Sequence, residues 1–329
     1  MKLDIVNNFT ISNESNFIRM KVAMMERIWQ GFWQLSDPKI WIASTIPMFV
    51  AAALSYGYTK TFDFGWFVLA LLGIYLIEIG KNAVNEFVDF QTGVDRFITE
   101  DKRNPFSGGK KTIVDGKLTI NETMVIAVLT LLGAFIIGIL IAILKEPSIF
   151  WIGIIGLSLA VFYSLPPFKL NYRGMGELAV GLAFGPLIMC GTFLLLTGTW
   201  NWEVIIAGLP IAFLITAILW INQYPDYEAD LKGGKRNWLV RMGKENGLII
   251  YAVLYGGAYI SLALLGILLK NPIWLLGLIS LPLAIKTIAI TKKHMNDIPK
   301  LLEANQKTIQ IYIITGIVMT IASILTFTI

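Results

Sequence analysis

Residues 85–95 read NEFVDFQTGVD and residues 222–237 read NQYPDYEADLKGGKRN, and each stretch closes a long apolar run. The offset from Asn85 to Asn222 equals the offset from Asp89 to Asp226, so the two stretches read as copies of one device. Carboxylates four residues apart on a helix share a face and repel one another. A divalent cation bridged by their oxygens relieves that repulsion. Two such sites at the ends of membrane-length segments imply a bound polyanion. The chemistry that follows is that of pyrophosphate on a lipid.

Composition makes the chain an integral membrane protein. Hydrophobic residues form 56% of its 329 positions and charged residues only 15%, against about 25% charged in a soluble domain. A hydrocarbon core of ~30 Å needs roughly 17–25 apolar residues per helix. Nine stretches qualify, at 40–57, 64–87, 119–143, 148–164, 174–197, 203–223, 246–269, 271–291 and 308–329. The expected fold is therefore an all-α, multi-pass bundle of nine transmembrane helices around a central cavity. The equal motif offset crosses four spans, so spans one to four and five to eight form two parallel halves, with one helix added. Residues 1–37 form a segment of their own ahead of the bundle at 38–329. In it, Arg19, Lys21 and Arg27 alternate with Phe17, Ile18, Met20, Met24, Trp29 and Trp33, as in a helix lying on a membrane face.

Basic residues set the expected orientation. Of the 27 Lys and Arg, only Lys60, Lys145 and Lys270 fall on the far side, and Lys81 and Lys286 fall within spans. This places the N-terminus and both acidic motifs in the cytoplasm and the C-terminus across the cell membrane. Trp66, Trp151, Trp200, Trp202 and Trp274 fall near the opposite ends of spans, where an interfacial aromatic belt belongs. Residues 1–16 are polar and Asn-rich, and no cleavable signal peptide is expected. Cys190 and His294 are single in the chain, so no disulfide or thiolate metal site can be built. Membrane lipids are expected partners and nucleic acid is not.

Continued as a helix, the second span carries Glu78, Asn82, Asn85 and Asp89 in one polar stripe. Ionisable groups inside a span face a cavity or a partner. Glu78 and Lys81 stand at i,i+3, as a mutual ion pair or as part of a cavity wall. Asn222, Asp226 and Asp230 share a face in the same way, and Pro225 permits a kink just before Asp226. Hard oxygen ligands without His or Cys suit Mg2+. Metal ions with nearby Lys and Arg would neutralise a diphosphate and make it a better leaving group. A polyprenyl diphosphate would then yield an allylic carbocation, sheltered from water by apolar walls.

These residues, with nine spans and both motifs on one side, resemble the UbiA superfamily of intramembrane prenyltransferases. NEFVDFQTGVD, YRGMGELAVGLAFGP (172–186) and NQYPDYEADLKGGKRNWLVRMG (222–243) resemble most its menaquinone-type branch, which prenylates 1,4-dihydroxy-2-naphthoate. The chain departs from the common pattern with Asn-Glu at 85–86 and Asn-Gln-Tyr-Pro before Asp226. The resemblance implies two Mg2+ ions holding the prenyl diphosphate, one on Asn85, Asp89 and Asp95 and the other on Asn222, Asp226 and Asp230. It implies diphosphate contacts at Tyr163, Lys169 and Arg173, with Arg96, Lys102, Lys235 and Arg236 as further candidates and Lys81 on the cavity wall. The acceptor is expected to be aromatic, in quinone synthesis. Transfer to a glycerol-phosphate lipid is the rival chemistry, and cation or solute transport the rival class.

Overall fold

Inside hydrocarbon every backbone N–H and C=O must find its partner within the chain, so apolar runs become helices end to end. The computed structural model of the protein describes residues 2–97, 103–106 and 109–326. Helix α1 covers Lys2–Ser36 and is followed by α2 (Ile42–Thr59), α3 (Phe64–Thr92), α4 (Ile120–Leu144) and α5 (Ile149–Phe162). Then come α6 (Gly176–Thr197), α7 (Trp202–Lys232), a short α8 (Trp238–Met242), α9 (Lys244–Leu268), α10 (Pro272–His294) and α11 (Ile298–Thr326).

Among the described residues, eight helices are long and apolar enough to cross a membrane, the end of α1 being taken together with α2. The expected span at 148–164 is α5, with only 14 residues. At 1.5 Å per residue it covers ~21 Å, short of a ~30 Å hydrocarbon core. Among the described residues eight helices thus have full spanning length, and α5 is a ninth, shorter apolar helix. The protein is a multi-pass membrane bundle. Leu129, Ile143, Trp151, Ile267 and Ile279 are among the apolar side chains on its exterior, as a lipid-facing surface requires.

Local chemistry fixes the helix ends. At α4, Thr119 and Glu122 form a reciprocal capping box, with Thr119 N–H donating to Glu122 Oε2 at 2.7 Å. Helix α3 stops at Gly93, whose φ of 81° is left-handed, a conformation that costs glycine nothing. Helix α7 does not kink to a stop at Pro225 and runs on to Lys232. Its end meets the turn after α3 so closely that a Cβ on Gly233 would lie 2.2 Å from Val94 Cγ2. Only glycine permits this approach, which brings the two acidic motifs together.

The largest core joins α2, α6, α7, α9, α10 and α11 around Trp220, Tyr224, Tyr251, Tyr255, Trp274 and Tyr312, all fully buried. Their polar tips are satisfied: Trp220 Nε1 donates to Gly247 O at 2.9 Å and Trp274 Nε1 to Thr326 Oγ1 at 3.0 Å. Trp274 therefore belongs to the core and not to the aromatic belt, because Thr326 satisfies its N–H without water. Trp151, Trp200 and Trp202 are exposed as expected. Helix α3 packs most extensively on α4, while α7 packs on both α6 and α9. The last turns of α1 are held to the bundle by Arg27, whose guanidinium donates to Glu122 Oε1 at 2.6 Å and to Lys117 O at 2.7 Å.

Candidate active site

The two motifs meet at one end of the bundle. Asp89, on the last turns of α3, is buried and fully engaged. Its Oδ2 accepts from Asn85 Nδ2 at 2.9 Å and from Lys235 Nζ at 2.9 Å, and its Oδ1 accepts from the Tyr172 hydroxyl at 2.8 Å. Lys235 Nζ also stands 3.7 Å from Asp230 Oδ1, while Asp230 Oδ2 accepts from Asn237 Nδ2 at 2.8 Å. Burial alone would lower the pKa of Lys235, but Asp89 and Asp230 outweigh it and hold the ammonium well above its ordinary value. One buried cation thus links the first motif to the second.

Asp95 lies beyond Gly93 in a short 3-10 turn, off the helical stripe. It is buried, and neither of its oxygens has a hydrogen-bond partner. Burial pushes its carboxyl up to about 8, with the charges of Asp89 and Glu86 adding and those of Lys235 and Lys111 opposing. Asp226 lies close enough to act electrostatically on Asp230 and on Lys111. Asn222 accepts from Asn305 Nδ2 at 2.8 Å.

Other expected residues are placed less centrally. Tyr163 follows α5 and lines a cavity with Glu78 and Lys81. Lys169 sits 5.6 Å from the Tyr172 ring centroid. Arg173 and Arg236 are exposed, and their carbonyls accept from Arg241 at 2.8 and 2.7 Å. Lys102 and the side chain of Arg96 lie outside the described residues. Ser164, Tyr172, Asn237 and Asn305 were not among the expected site residues, yet each orients a motif side chain; Ser164 Oγ donates to Asn85 Oδ1 at 2.8 Å. Asn237 ends the second motif stretch and also caps α8 through Val240 N–H at 2.8 Å, a role its Asn-before-helix position announces.

Glu86 has a different task. Its carboxylate accepts from the backbone N–H groups of Lys110, Lys111 and Ile113 at 3.1, 2.9 and 3.1 Å and from the Thr112 hydroxyl at 3.1 Å. It pins the 110–113 segment over the first motif. Each buried donor orphaned by Glu86→Ala costs about 1–3 kcal/mol. The substitution should lower the melting temperature in detergent and hasten tryptic cleavage after Lys110 and Lys111, with Glu86→Gln intermediate. An unchanged cleavage rate would contradict the pinning role.

The donor set suits Mg2+. Asp95 supplies two orphaned buried oxygens beside Asp89, and all candidate ligands are carboxylate or amide oxygens. Among the described residues no three His, Cys, Asp or Glu side chains converge into a ready cage. At the centre the Lys235 ammonium stands between Asp89 and Asp230.

A cavity of about 90 Å3 opens beside this site, lined by Glu78, Lys81, Tyr163, Val180 and Phe184. It shares Ile74, Ile77, Gly156, Leu187 and Ile188 with a second, almost wholly apolar cavity of about 150 Å3 that reaches Ala70, Ile141 and Phe150. From Asp89 back to Ala70 along α3 is ~28 Å, nearly the depth of the hydrocarbon core. The wall opposite α3 includes a π-helical turn at Ala183–Leu187 around Pro186, the kind of bulge often found at functional sites.

A carboxylate cluster over long apolar cavities suits a ligand with a charged head on a hydrocarbon tail. Residues 45–324 match the model of the UbiA prenyltransferase family. The chain belongs to that family and is a prenyltransferase. It is 28% identical over 235 residues to 1,4-dihydroxy-2-naphthoate octaprenyltransferase of Bacillus subtilis (strain 168), covering 71% of this chain and 73% of the relative. It is 29% identical over 240 residues to the enzyme of the same name from Haemophilus influenzae, covering 72% and 77%. The fold is that of a UbiA homolog from Archaeoglobus fulgidus bound to DMAPP and Mg2+, with a TM-score of 0.63 at 19% identity over 89% of this chain and 99% of that one.

Proposed function

We propose that the protein transfers a polyprenyl group from its diphosphate to an aromatic acceptor of the dihydroxynaphthoate kind, releasing pyrophosphate, in quinone synthesis. The observation that carries this reading is Lys235, 2.9 Å from Asp89 and 3.7 Å from Asp230. It joins the two motifs at one cation, which supports reading them as a single site for a diphosphate. The named relatives support the aromatic acceptor.

Asn85, Asp89 and Asp95 would hold one Mg2+, and Asn222, Asp226 and Asp230 a second. Bound there, Mg2+ supplies Lewis-acid stabilisation of the charge that develops on the leaving diphosphate. Lys235 adds a fixed positive charge to the same oxygens, and Tyr163, Lys169, Arg173, Arg236, Arg96 and Lys102 are proposed to complete the anion's surroundings. As the C–O bond breaks, its electron pair leaves with the diphosphate. The prenyl carbon becomes an allylic cation, which a ring carbon of the acceptor attacks, and the ring regains aromaticity by releasing a proton from that carbon, or CO2 where the carbon carries a carboxylate, the bonding pair staying in the ring. The tail lies in the larger apolar cavity that reaches Ala70, Ile141 and Phe150, and apolar walls keep water from the cation.

We place the motif-bearing end and the N-terminus in the cytoplasm of a cell-membrane protein, since the basic loops gather there. Asn305 near the start of α11 donates to Asn222, which supports a C-terminus on the side opposite the motifs. Residues 1–37 are proposed to lie along the membrane face.

The test uses purified protein, Mg2+ and radiolabelled geranylgeranyl diphosphate, offered dihydroxynaphthoate, hydroxybenzoate or geranylgeranylglyceryl phosphate separately. The expected outcome is a labelled product with the naphthoate that EDTA abolishes. Product with the glyceryl phosphate alone would replace the aromatic reading by the lipid one. Intact diphosphate with every acceptor would overturn prenyl transfer by this chain.

A further inference from the structure

The polar stripe of α3 divides among three tasks. Asn85 and Asp89 serve the motif site, and Asn82 Nδ2 donates to Leu35 O of α1 at 3.2 Å. Glu78 and Lys81 remain, and both line the cavity of about 90 Å3. Glu78 is 3% exposed, and its Oε1 has no hydrogen-bond partner. Ser44 of α2 flanks it, and the charges that reach it are those of Lys81 and Lys110.

At i,i+3 these two could have paired with each other. Among the described residues they form no ion pair, and Lys81 Nζ instead lies 5.8 Å from the centroid of the Phe184 ring. Two ionisable groups of opposite sign held apart in a membrane cavity are costly unless a polar ligand completes both. The walls around them are aliphatic and aromatic, with Phe184 on one side and Tyr163 on the side toward Asp89. Lys81 is eight residues before Asp89, ~12 Å along the helix. A ring-sized molecule seated at Lys81 therefore reaches toward a prenyl carbon beside the diphosphate.

We infer that Glu78 and Lys81 are the acceptor-recognition pair, seating a planar arene whose carboxylate meets the Lys81 ammonium and whose ring hydroxyl donates to Glu78. This rests on the prenyl-transfer reading and deepens it, since nothing in the two acidic motifs selects an acceptor. The pair is charged and complementary to a carboxylated phenol. An uncharged arene would leave Lys81 unsatisfied, and a site loses most when its buried polar group is left without a partner.

The experiment compares 1,4-dihydroxy-2-naphthoate with 1,4-dihydroxynaphthalene, which lacks the carboxylate, using protein in lipid nanodiscs with Mg2+ and geranylgeranyl diphosphate. Lys81→Met should raise KM for the naphthoate about 10- to 100-fold, the weight of one charge-assisted hydrogen bond. It should leave KM for the diphosphate and turnover on the uncharged arene within about twofold, so that the preference collapses. Lys81→Arg should keep the preference. Glu78→Gln should raise KM for both arenes. Equilibrium binding of the naphthoate, followed by its own fluorescence without prenyl donor, should weaken in parallel. The doubly neutral Glu78→Gln/Lys81→Met protein removes both charges together, and its melting temperature checks that the effects are not loss of fold. If wild type makes prenylated naphthoate and Lys81→Met keeps its preference, this pair is not the acceptor site although prenyl transfer stands. If wild type prenylates only a glycerol-phosphate lipid, the aromatic reading and the pair fall together.

Discussion

Exchanging Asp89 for asparagine lowers prenyl transfer by about 100- to 1,000-fold or more, the effect of deleting one preorganised electrostatic group from a transition state. Asp89 is the point where Asn85, Tyr172 and Lys235 converge. Asparagine keeps the size of the side chain and an oxygen for Tyr172, so the bundle stays folded in detergent. What it loses is the negative charge that a divalent ion needs. Turnover at saturating diphosphate and Mg2+ measures this, alongside a thermal melt. Asp226→Asn should behave alike, because the second motif shares the same anion. Full activity in either variant would remove that carboxylate from the metal site.

Lys235→Met has a larger effect on stability than on the shape of the site. Lys235 and Asp89 expose 9% and 3% of their side chains, so the pair is screened little by solvent. Removing one partner of a buried ion pair costs about 3–5 kcal/mol, because the other charge is stranded. Here Asp89 and Asp230 would face each other with the unpaired oxygens of Asp95 nearby. The melting temperature without divalent ions should fall by roughly 10 °C. Mg2+ should restore much of that loss, and its stabilising effect should be greater in the variant than in the wild type, since stabilisation by a bound ion grows with the logarithm of its affinity for the folded state. A variant that melts as wild type does in EDTA would show that Lys235 is not the internal counter-ion.

Much of this arrangement was legible in the residues themselves. Apolar runs located most of the helices, and the spacing of Asn85, Asp89, Asn222 and Asp226 singled out two stretches that the fold brings together at one end of the bundle. Helix α11 was read as starting at 308 but begins at Ile298, because Lys300, Glu303 and Lys307 make its first turns polar and hide them from a hydropathy reading. The apolar run at 148–164 gives a helix of only 14 residues, shorter than the run itself. Trp274 sits near the start of its span as a belt residue would, and only its distant partner Thr326 makes it a core residue. Lys235 could be named as a phosphate contact, yet its place between Asp89 and Asp230 depends on a turn after α7 that closes through Lys235 N–H to Asp230 O at 2.8 Å. Ser164, Tyr172 and Asn305 come from three other elements, and no local pattern ties them to the motifs. Glu78 and Lys81 were legible as a charged pair, but an ion pair and a cavity wall look the same until the side chains are placed.

The claim that two motifs form a single prenyl-diphosphate site is tested most directly by binding. Titrating geranylgeranyl thiodiphosphate, a non-reacting analogue, with Mg2+ into wild type, Asp89→Asn, Asp230→Asn and the double variant separates one site from two. Expected is a stoichiometry of one in the wild type and single-variant losses nearly as large as the double-variant loss, as coupled groups on one ligand require. Losses that simply add, or a wild-type stoichiometry of two, would contradict a shared site.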